Sequence, residues 1–171
     1  MEKIGLYGGT FGPPHLGHVY AAKTFLREVA PDRLLIMPAG IPPHKEKAAG
    51  DTPELRLAMC RAAFGDLPHT EISDYEIRKP GKSYTVETLE HLAAPGREIT
   101  MLCGTDMFLT LDHWHRAPDI FALCTVACLA RENGMETAIR EKLRAGADMT
   151  PYLPPEVAEI CRREKLYGIE A

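Results

Sequence analysis

The sequence predicts an α/β fold with a central parallel sheet flanked by helices. Short apolar runs such as Ile4–Tyr7, Arg33–Met37 and Glu98–Cys103 alternate with stretches of helical period, the pattern of a parallel sheet with crossover helices. The first helical stretch places Leu16, Val19, Ala22, Phe25, Leu26 and Val29 on one face. Between the first run and this helix lies GGTFGPPHLGH, residues 8–18, which makes a strand-to-helix turn near the start of a βαβ unit.

Taken in order, the first strand covers about Lys3 to Tyr7 and the first helix about Leu16 to Val29. In the turn, Gly8 and Gly9 have no Cβ, so the backbone can bend sharply and approach a ligand. Pro13 and Pro14 suit a helix entry, where a missing N–H costs little. The first helical turn offers N–H groups and a partial positive charge to phosphate. His15 and His18, three apart, lie on neighbouring positions of one face there and can donate to phosphate oxygens. A metal site is disfavoured because no third ligand is evident, and the Gly-Lys-Ser/Thr of a P-loop is absent.

Pro31-Asp32 breaks the chain before a second strand, Arg33 to Met37. The long loop from Pro38 to Asp51 follows; Pro42 and Pro43 stiffen it and present His44 and Lys45. By its residues alone this is a solvated basic loop tip. Asp51 or Thr52 can cap the next helix, with Pro53 at its first position and Leu55, Met59, Ala62 and Ala63 turned inward; this helix reads as structural. His69 to Ser73 reads as a third strand with His69 at the surface, and Asp74 to Lys82 as a turn or hairpin ending in Pro80-Gly81. Ser83 or Thr85 can cap a helix running to Leu92, so a second helix start is available to an anion.

The fourth strand, Glu98 to Cys103, runs into Gly104-Thr105-Asp106 at its carboxyl end, where open α/β sheets bind ligands. Asp106 can accept from ribose hydroxyls or cap the following helix. A lone Trp such as Trp114 is by default core, and His113 and His115 read as surface. A short helix over Pro118–Leu123 precedes a fifth strand, Thr125 to Ala130, and Arg131 at its end is a candidate phosphate contact. A last amphipathic helix turns Val157, Ile160 and Cys161 inward.

Composition narrows the class. At 171 residues and 45% hydrophobic, residues 1–171 read as one domain with a full core. A net charge of −4 gives no reason to propose nucleic acid or an anionic membrane as partner, and no apolar run is long enough to span a bilayer. The start MEKIGLYGG enters a strand at once without a signal-peptide core, and the five cysteines sit in apolar patterns as small core residues. A reducing, cytoplasmic setting is the expectation.

The stretch GGTFGPPHLGH resembles the HxGH signature of the nucleotidyltransferase superfamily. Within it the chain is most similar to the bacterial nicotinate-nucleotide adenylyltransferases, through PPHK (42–45), SYTVETL (83–89), GTDMFLTLDHW (104–114) and the ending LPPEVAEICRREKLYG (153–168). The resemblance implies a Rossmann-like nucleotidyltransferase fold and transfer of AMP from ATP to nicotinate mononucleotide. It implies that His18 and His15 are catalytic, and that Gly8, Gly9, Thr10, Phe11 and both histidines bind ATP. Arg131, Thr137 and Arg140 would hold ATP phosphates, the last two matching a Thr and an Arg of the family's ISSTxIR motif. Nicotinate mononucleotide would meet His44, Lys45, Thr85, Gly104, Asp106 and Trp114, with Thr85 at the nicotinate carboxylate and Trp114 stacked on the pyridine ring. Mg²⁺ is expected to arrive with ATP, and a homo-oligomer is compatible with the sequence.

The chain departs from the family pattern in places. Gly12 stands where many members carry Asp or Asn, Glu87 where Asp is usual, and Glu136 in place of a Ser beside Thr137. A connecting stretch after Arg131 is missing, which fits either a shortened member or a chain from which a disordered stretch has been omitted. Two other readings stand beside the main one: a related adenylyltransferase with nicotinamide mononucleotide or phosphopantetheine as acceptor, and a nucleotide-binding protein without turnover.

Overall fold

A computed structural model describes residues 1–43, 48–129, 146 and 148–169. Five strands form one sheet: β1 (Glu2–Gly9), β2 (Arg33–Pro38), β3 (Thr70–Ile72), β4 (Arg97–Gly104) and β5 (Thr125–Leu129). All neighbours are parallel, in the order β3-β2-β1-β4-β5. Among the described residues there are seven α-helices: α1 (Leu16–Val29), α2 (Pro53–Phe64), α3 (Tyr75–Arg78), α4 (Thr85–Leu92), α5 (Thr105–Thr110), α6 (Ala117–Leu123) and α7 (Pro155–Arg163). This is the parallel α/β architecture the apolar runs predict.

The period of two along each strand sorts the side chains into two layers. Ile4, Leu6, Leu35, Met37, Ile99 and Met101 face α4 and α6, where they pack with Val86, Leu89, Leu92 and Ile120. Tyr7, Leu34, Ile36 and Leu102 face the other way, onto Ala22 and Phe25 of α1 and Cys60 and Phe64 of α2. α1 lies close: a Cβ on Gly5 would come 2.5 Å from Phe25 Cε1. A third cluster joins Met59 of α2 to Val157, Ala158 and Cys161 of α7 and to Leu166 and Ile169 beyond it. The C-terminal segment is thereby fastened to the outer side of α2.

The order of the strands reverses at β1. The chain leaves β1 for β2 on one side and later returns to place β4 on the other. The crevice at such a switch point, beyond the carboxyl ends of β1 and β4, is the general ligand site of open α/β sheets. Residues 8–18 run from the last two residues of β1 to the first turn of α1, and Gly104–Asp106 from the end of β4 into α5, so both predicted segments open onto it.

Some expectations change. Residues 74–82 are not a hairpin: Tyr75–Arg78 form a short helix, with Arg78 paired to Asp74 at 2.9 Å and Glu76 buried. The cysteines are not uniformly core, since Cys60, Cys103 and Cys161 are buried, Cys124 is half-buried and Cys128 on the edge strand is exposed. No helix among the described residues is long and apolar enough to cross a membrane.

Candidate functional site

The two histidines of the turn cap their own helix. His15 is the N-cap of α1, with extended backbone, and its Nδ1 accepts the N–H of His18 at 3.3 Å. In return His18 Nδ1 accepts the N–H of His15 at 3.1 Å. The two rings stack, centroids 3.6 Å apart and 19° from parallel. This reciprocal arrangement is a capping box built from imidazoles. It also sets the tautomer. With Nδ1 of each ring accepting, the proton of a neutral ring sits on Nε2, so each ring can offer Nε2–H as a donor. Pro13 and Pro14 lie before the cap rather than in the first turn, because the helix starts only at Leu16.

Phe11 fixes the turn from below. It adopts φ 50° yet is buried, and its ring meets Tyr7, Phe64 and His18 edge-on at centroid distances of 5.3, 5.5 and 5.1 Å. A Cβ on Gly9 would stand 3.2 Å from that ring, so the bare backbone at Gly9 is needed for Phe11 to tuck in. Gly8 and Gly9 end β1 beside Met37 and Pro38 of β2. The Thr10 carbonyl is held from beneath by the Arg56 guanidinium at 3.2 Å.

α4 supplies the second helix start. Tyr84 is its N-cap, and it has no side-chain cap. Ser83 and Thr85 therefore do not play the capping role the sequence suggests. The Ser83 hydroxyl instead accepts the N–H of Gly40 at 3.0 Å and bonds the buried carboxyl of Glu76. The N–H groups of Thr85 and Val86 open this helix with no oxygen from the N-cap side chain upon them, a setting that favours an anion. Ser83 also donates its N–H to the Ile41 carbonyl at 2.9 Å, which ties α4 to the loop after β2.

At the end of β4, Gly104 is the N-cap of α5 and Asp106 is exposed in its first turn. Asp106 does not cap the helix, which has no side-chain cap. Trp114 is half-buried: it packs on the edge of the core, and its Nε1 donates to Thr110 Oγ1 at 3.4 Å. His115 is exposed and rests on the Tyr84 ring at 4.4 Å, so the segment around Trp114 touches the start of α4. His113 and His69 are exposed, as expected. Burial, helped by neighbouring Cys128, pushes the Cys103 thiol at the end of β4 up to about 12, so it stays protonated and unreactive at neutral pH.

The cytidylyltransferase-like family profile matches residues 6–167. A relative from Trichlorobacter lovleyi, named "Probable nicotinate-nucleotide adenylyltransferase", is 44% identical over 144 residues, covering 83% of this chain and 66% of its own length. A Synechococcus relative of the same name is 32% identical over 197 residues, covering 98% of this chain and 95% of its own. The chain belongs to the cytidylyltransferase-like family, on its nicotinate-nucleotide adenylyltransferase branch.

Solved structures agree on the fold of this family. A Vibrio parahaemolyticus protein provisionally assigned as a nicotinate-nucleotide adenylyltransferase superposes with a TM-score of 0.74 at 27% identity, over 98% of this chain and 96% of that one. A Plasmodium falciparum nicotinic acid mononucleotide adenylyltransferase, complexed with NaAD, gives a TM-score of 0.71 at 13% identity over 99% of both chains, a likeness of fold. The chain spans 66% of the length of each of the first two curated relatives it matches. The alignment with the Synechococcus family member runs to 197 positions against a chain of 171, so that relative carries residues with no counterpart here.

The structure thus brings Gly8, Gly9, Thr10, Phe11, His15 and His18 together at the end of β1, with Gly104 and Asp106 at the neighbouring end of β4. Thr85 and Trp114 are linked to each other through the contact of their neighbours Tyr84 and His115. His44, Lys45, Arg131, Thr137 and Arg140 lie outside the described residues. Sequence reasoning missed two buried charged residues, Arg56 and Glu76. The signal for Arg56 was present: it lies three and four residues before Met59 and Cys60, on the inward face of a helix read as purely apolar packing.

Proposed function

We propose that this chain transfers the adenylyl group of ATP to nicotinate mononucleotide, forming nicotinate adenine dinucleotide and pyrophosphate. The observation that carries the reading is the reciprocal His15–His18 cap at the start of α1, the helix that follows β1 at the switch point of the sheet. The names of its relatives support the same reaction.

In this mechanism an oxygen of the mononucleotide phosphate attacks the α-phosphorus of ATP in line. The bond from that phosphorus to the bridging oxygen breaks, and pyrophosphate leaves. Phosphoryl chemistry of this kind asks the protein for positioning and charge stabilisation rather than a nucleophile. His18 and His15 donate through Nε2–H to the phosphate oxygens as negative charge builds on them. Gly8 and Gly9 give the phosphates room, and the start of α1 adds its partial charge. The N–H groups at Thr85 hold the nicotinate carboxylate, Trp114 lies against the pyridine ring, and Asp106 accepts from ribose hydroxyls. His44 and Lys45 contact the mononucleotide phosphate, while Arg131, Thr137 and Arg140 contact those of ATP. Among the described residues no three His, Cys, Asp or Glu side chains converge as a metal site. Mg²⁺ enters this reading only as the ion carried by ATP, and no step is assigned to a protein-bound metal.

The test is pyrophosphate release with ATP and Mg²⁺, offering nicotinate mononucleotide, nicotinamide mononucleotide and phosphopantetheine in parallel. Strongest release with the first acceptor is expected. Stronger release with either other acceptor would reassign the substrate. ATP binding without release from any of them would make the chain a nucleotide-binding protein.

A further inference from the structure

We infer that Arg56 is a positioning residue that locks the phosphate-binding turn after β1 to the loop after β2, setting the separation at which the two substrates meet. The inference rests on the two-substrate reading above for its kinetic consequence. The lock itself rests on contacts.

Arg56 rises from α2 into the protein and is only 1% exposed. A buried charge persists only if it is paired and hydrogen-bonded, and this one is both. Its Nε donates to Asp51 Oδ1 at 2.8 Å. Nη1 donates to the carbonyls of Thr10 at 3.2 Å and Ala39 at 2.5 Å, and Nη2 to that of Gly40 at 3.1 Å. The three carbonyls belong to two different loops. Thr10 lies in the turn that carries the histidines, and Gly40 in the loop that reaches α4 through Ser83. A planar guanidinium fixes the directions of its donors relative to one another, so both loops are held to one rigid fork.

A second set of contacts closes the unit. The other oxygen of Asp51 accepts from the Tyr167 hydroxyl at 3.0 Å, bringing the C-terminal segment to the same point. Burial, then the Asp51 carboxylate, push the Tyr167 phenol up, so it remains a donor at neutral pH. Gly12, in the signature turn, abuts this cluster: a Cβ there would stand 3.1 Å from both Asp51 Oδ2 and the Tyr167 oxygen, and 3.6 Å from Arg56 Cδ. The unit therefore meets the phosphate turn at two points, Thr10 and Gly12.

Each substrate still has its own binding groups when the lock is broken, and what suffers is their mutual placement. We would measure steady-state kinetics for both substrates, and amide hydrogen exchange over residues 9–12 and 39–41, in R56K, D51A, G12D, D51A/G12D and Y167F. R56K is expected to lower kcat by about 10²-fold, the order associated with misplacement of about 1 Å. Both KM values should stay within about threefold, the signature of lost transition-state rather than ground-state interaction. Exchange should quicken in both loops together. G12D alone should be harmful, because it brings a second carboxylate against Asp51. In D51A/G12D the new carboxylate lies near the guanidinium, and kcat should recover by about tenfold or more over D51A, the non-additivity of residues sharing one partner.

A normal kcat in R56K with only a lower Tm would overturn the inference and make Arg56 structural. So would a loss confined to the KM of one substrate, or failure of Gly12→Asp to rescue Asp51→Ala. If R56K does not fold, Y167F decides. It keeps the Arg56–Asp51 pair and should quicken exchange at residues 10–12, and unchanged exchange there would refute the unit. If the wild-type chain releases no pyrophosphate with any acceptor, the proposed reaction fails separately. The lock then stands or falls on whether R56K loosens both loops together.

Discussion

Replacing Glu76 with Gln should stabilise the protein above neutral pH and flatten its response to pH between about 4.5 and 7. Glu76 is 6% exposed, packed behind the start of α4. Burial raises its carboxyl from 4.5 to about 7, against the lowering effects of the Thr88 and Ser83 hydroxyls and of Lys79; nearby Glu87 adds to the rise. The folded protein therefore holds this proton more tightly than the unfolded chain does. Below pH 4.5 the group is neutral in both states and its contribution to stability is fully present. As pH rises from 4.5 to about 7 the unfolded chain gives up the proton first, so stability falls. A rise of this size, at about 1.36 kcal/mol per pH unit, makes the loss roughly 3 kcal/mol. Gln keeps the shape and a carbonyl acceptor for the Thr88 hydroxyl, which lies 2.6 Å away, but never ionises. Urea unfolding of both proteins at pH 5 and pH 8 isolates the effect, since other titrating groups cancel in the difference. The wild type should lose ground to the variant between the two pH values. Parallel stability profiles, or a wild type that gains on the variant as pH rises, would refute the reasoning.

The site yields further expectations. His18→Ala should lower kcat by about 10²–10³-fold while circular dichroism shows the fold retained, with about 1 kcal/mol of stability lost from the broken cap; near-normal turnover would remove His18 from the mechanism. Trp114→Ala should raise KM for nicotinate mononucleotide by about 2- to 10-fold, the worth of one aromatic stack, and leave KM for ATP unchanged; equal changes in both would mean that the ring only packs. Gly40→Ala should cost about 1–3 kcal/mol or more in denaturant unfolding, because overpacking here is against main chain. Its Cβ would fall 2.4 Å from the Glu76 carbonyl oxygen, which cannot swing aside.

What could be read from the sequence follows from how far each signal reaches. α1 spans Leu16–Val29 as its periodicity indicates, because a long amphipathic stretch states its own limits. The strands were visible as apolar runs, although β1 and β4 extend further into the glycines that follow them. Thr52 caps α2, accepting the Leu55 N–H at 3.2 Å, because a cap is a contact over three residues and needs no tertiary knowledge. The same local reasoning fails for Ser83, whose hydroxyl is claimed by Gly40 from 43 residues away. It fails for α3 as well, a four-residue helix with Glu76 buried against Thr88 of α4. Arg56 is the plainest case. Asp51 is a local partner, but Thr10, Ala39 and Gly40 come from two other stretches that tertiary folding brings to it.

The two helix starts at the site solve the same problem in opposite ways, and under the proposed reaction this difference would allot the ligands. A helix begins with N–H groups that lack acceptors. In α1 the His15–His18 box satisfies one such N–H and that of the cap itself, and in doing so turns the helix's own demand into two side-chain donors at Nε2. In the proposed reaction this start would face the reacting phosphates with donors held in place by the cap and by ring stacking. In α4 the N-cap side chain supplies nothing, and the demand stays on rigid main chain. Main-chain N–H groups discriminate well between a group that only accepts and one that also donates. A carboxylate meets them with acceptors alone, whereas a carboxamide presents an NH₂ that they would oppose. In the proposed reaction the imidazole donors would serve the chemistry and the main-chain ones the choice of acceptor. Arg56 and Ser83, each bonded to Gly40, hold the two starts in one frame.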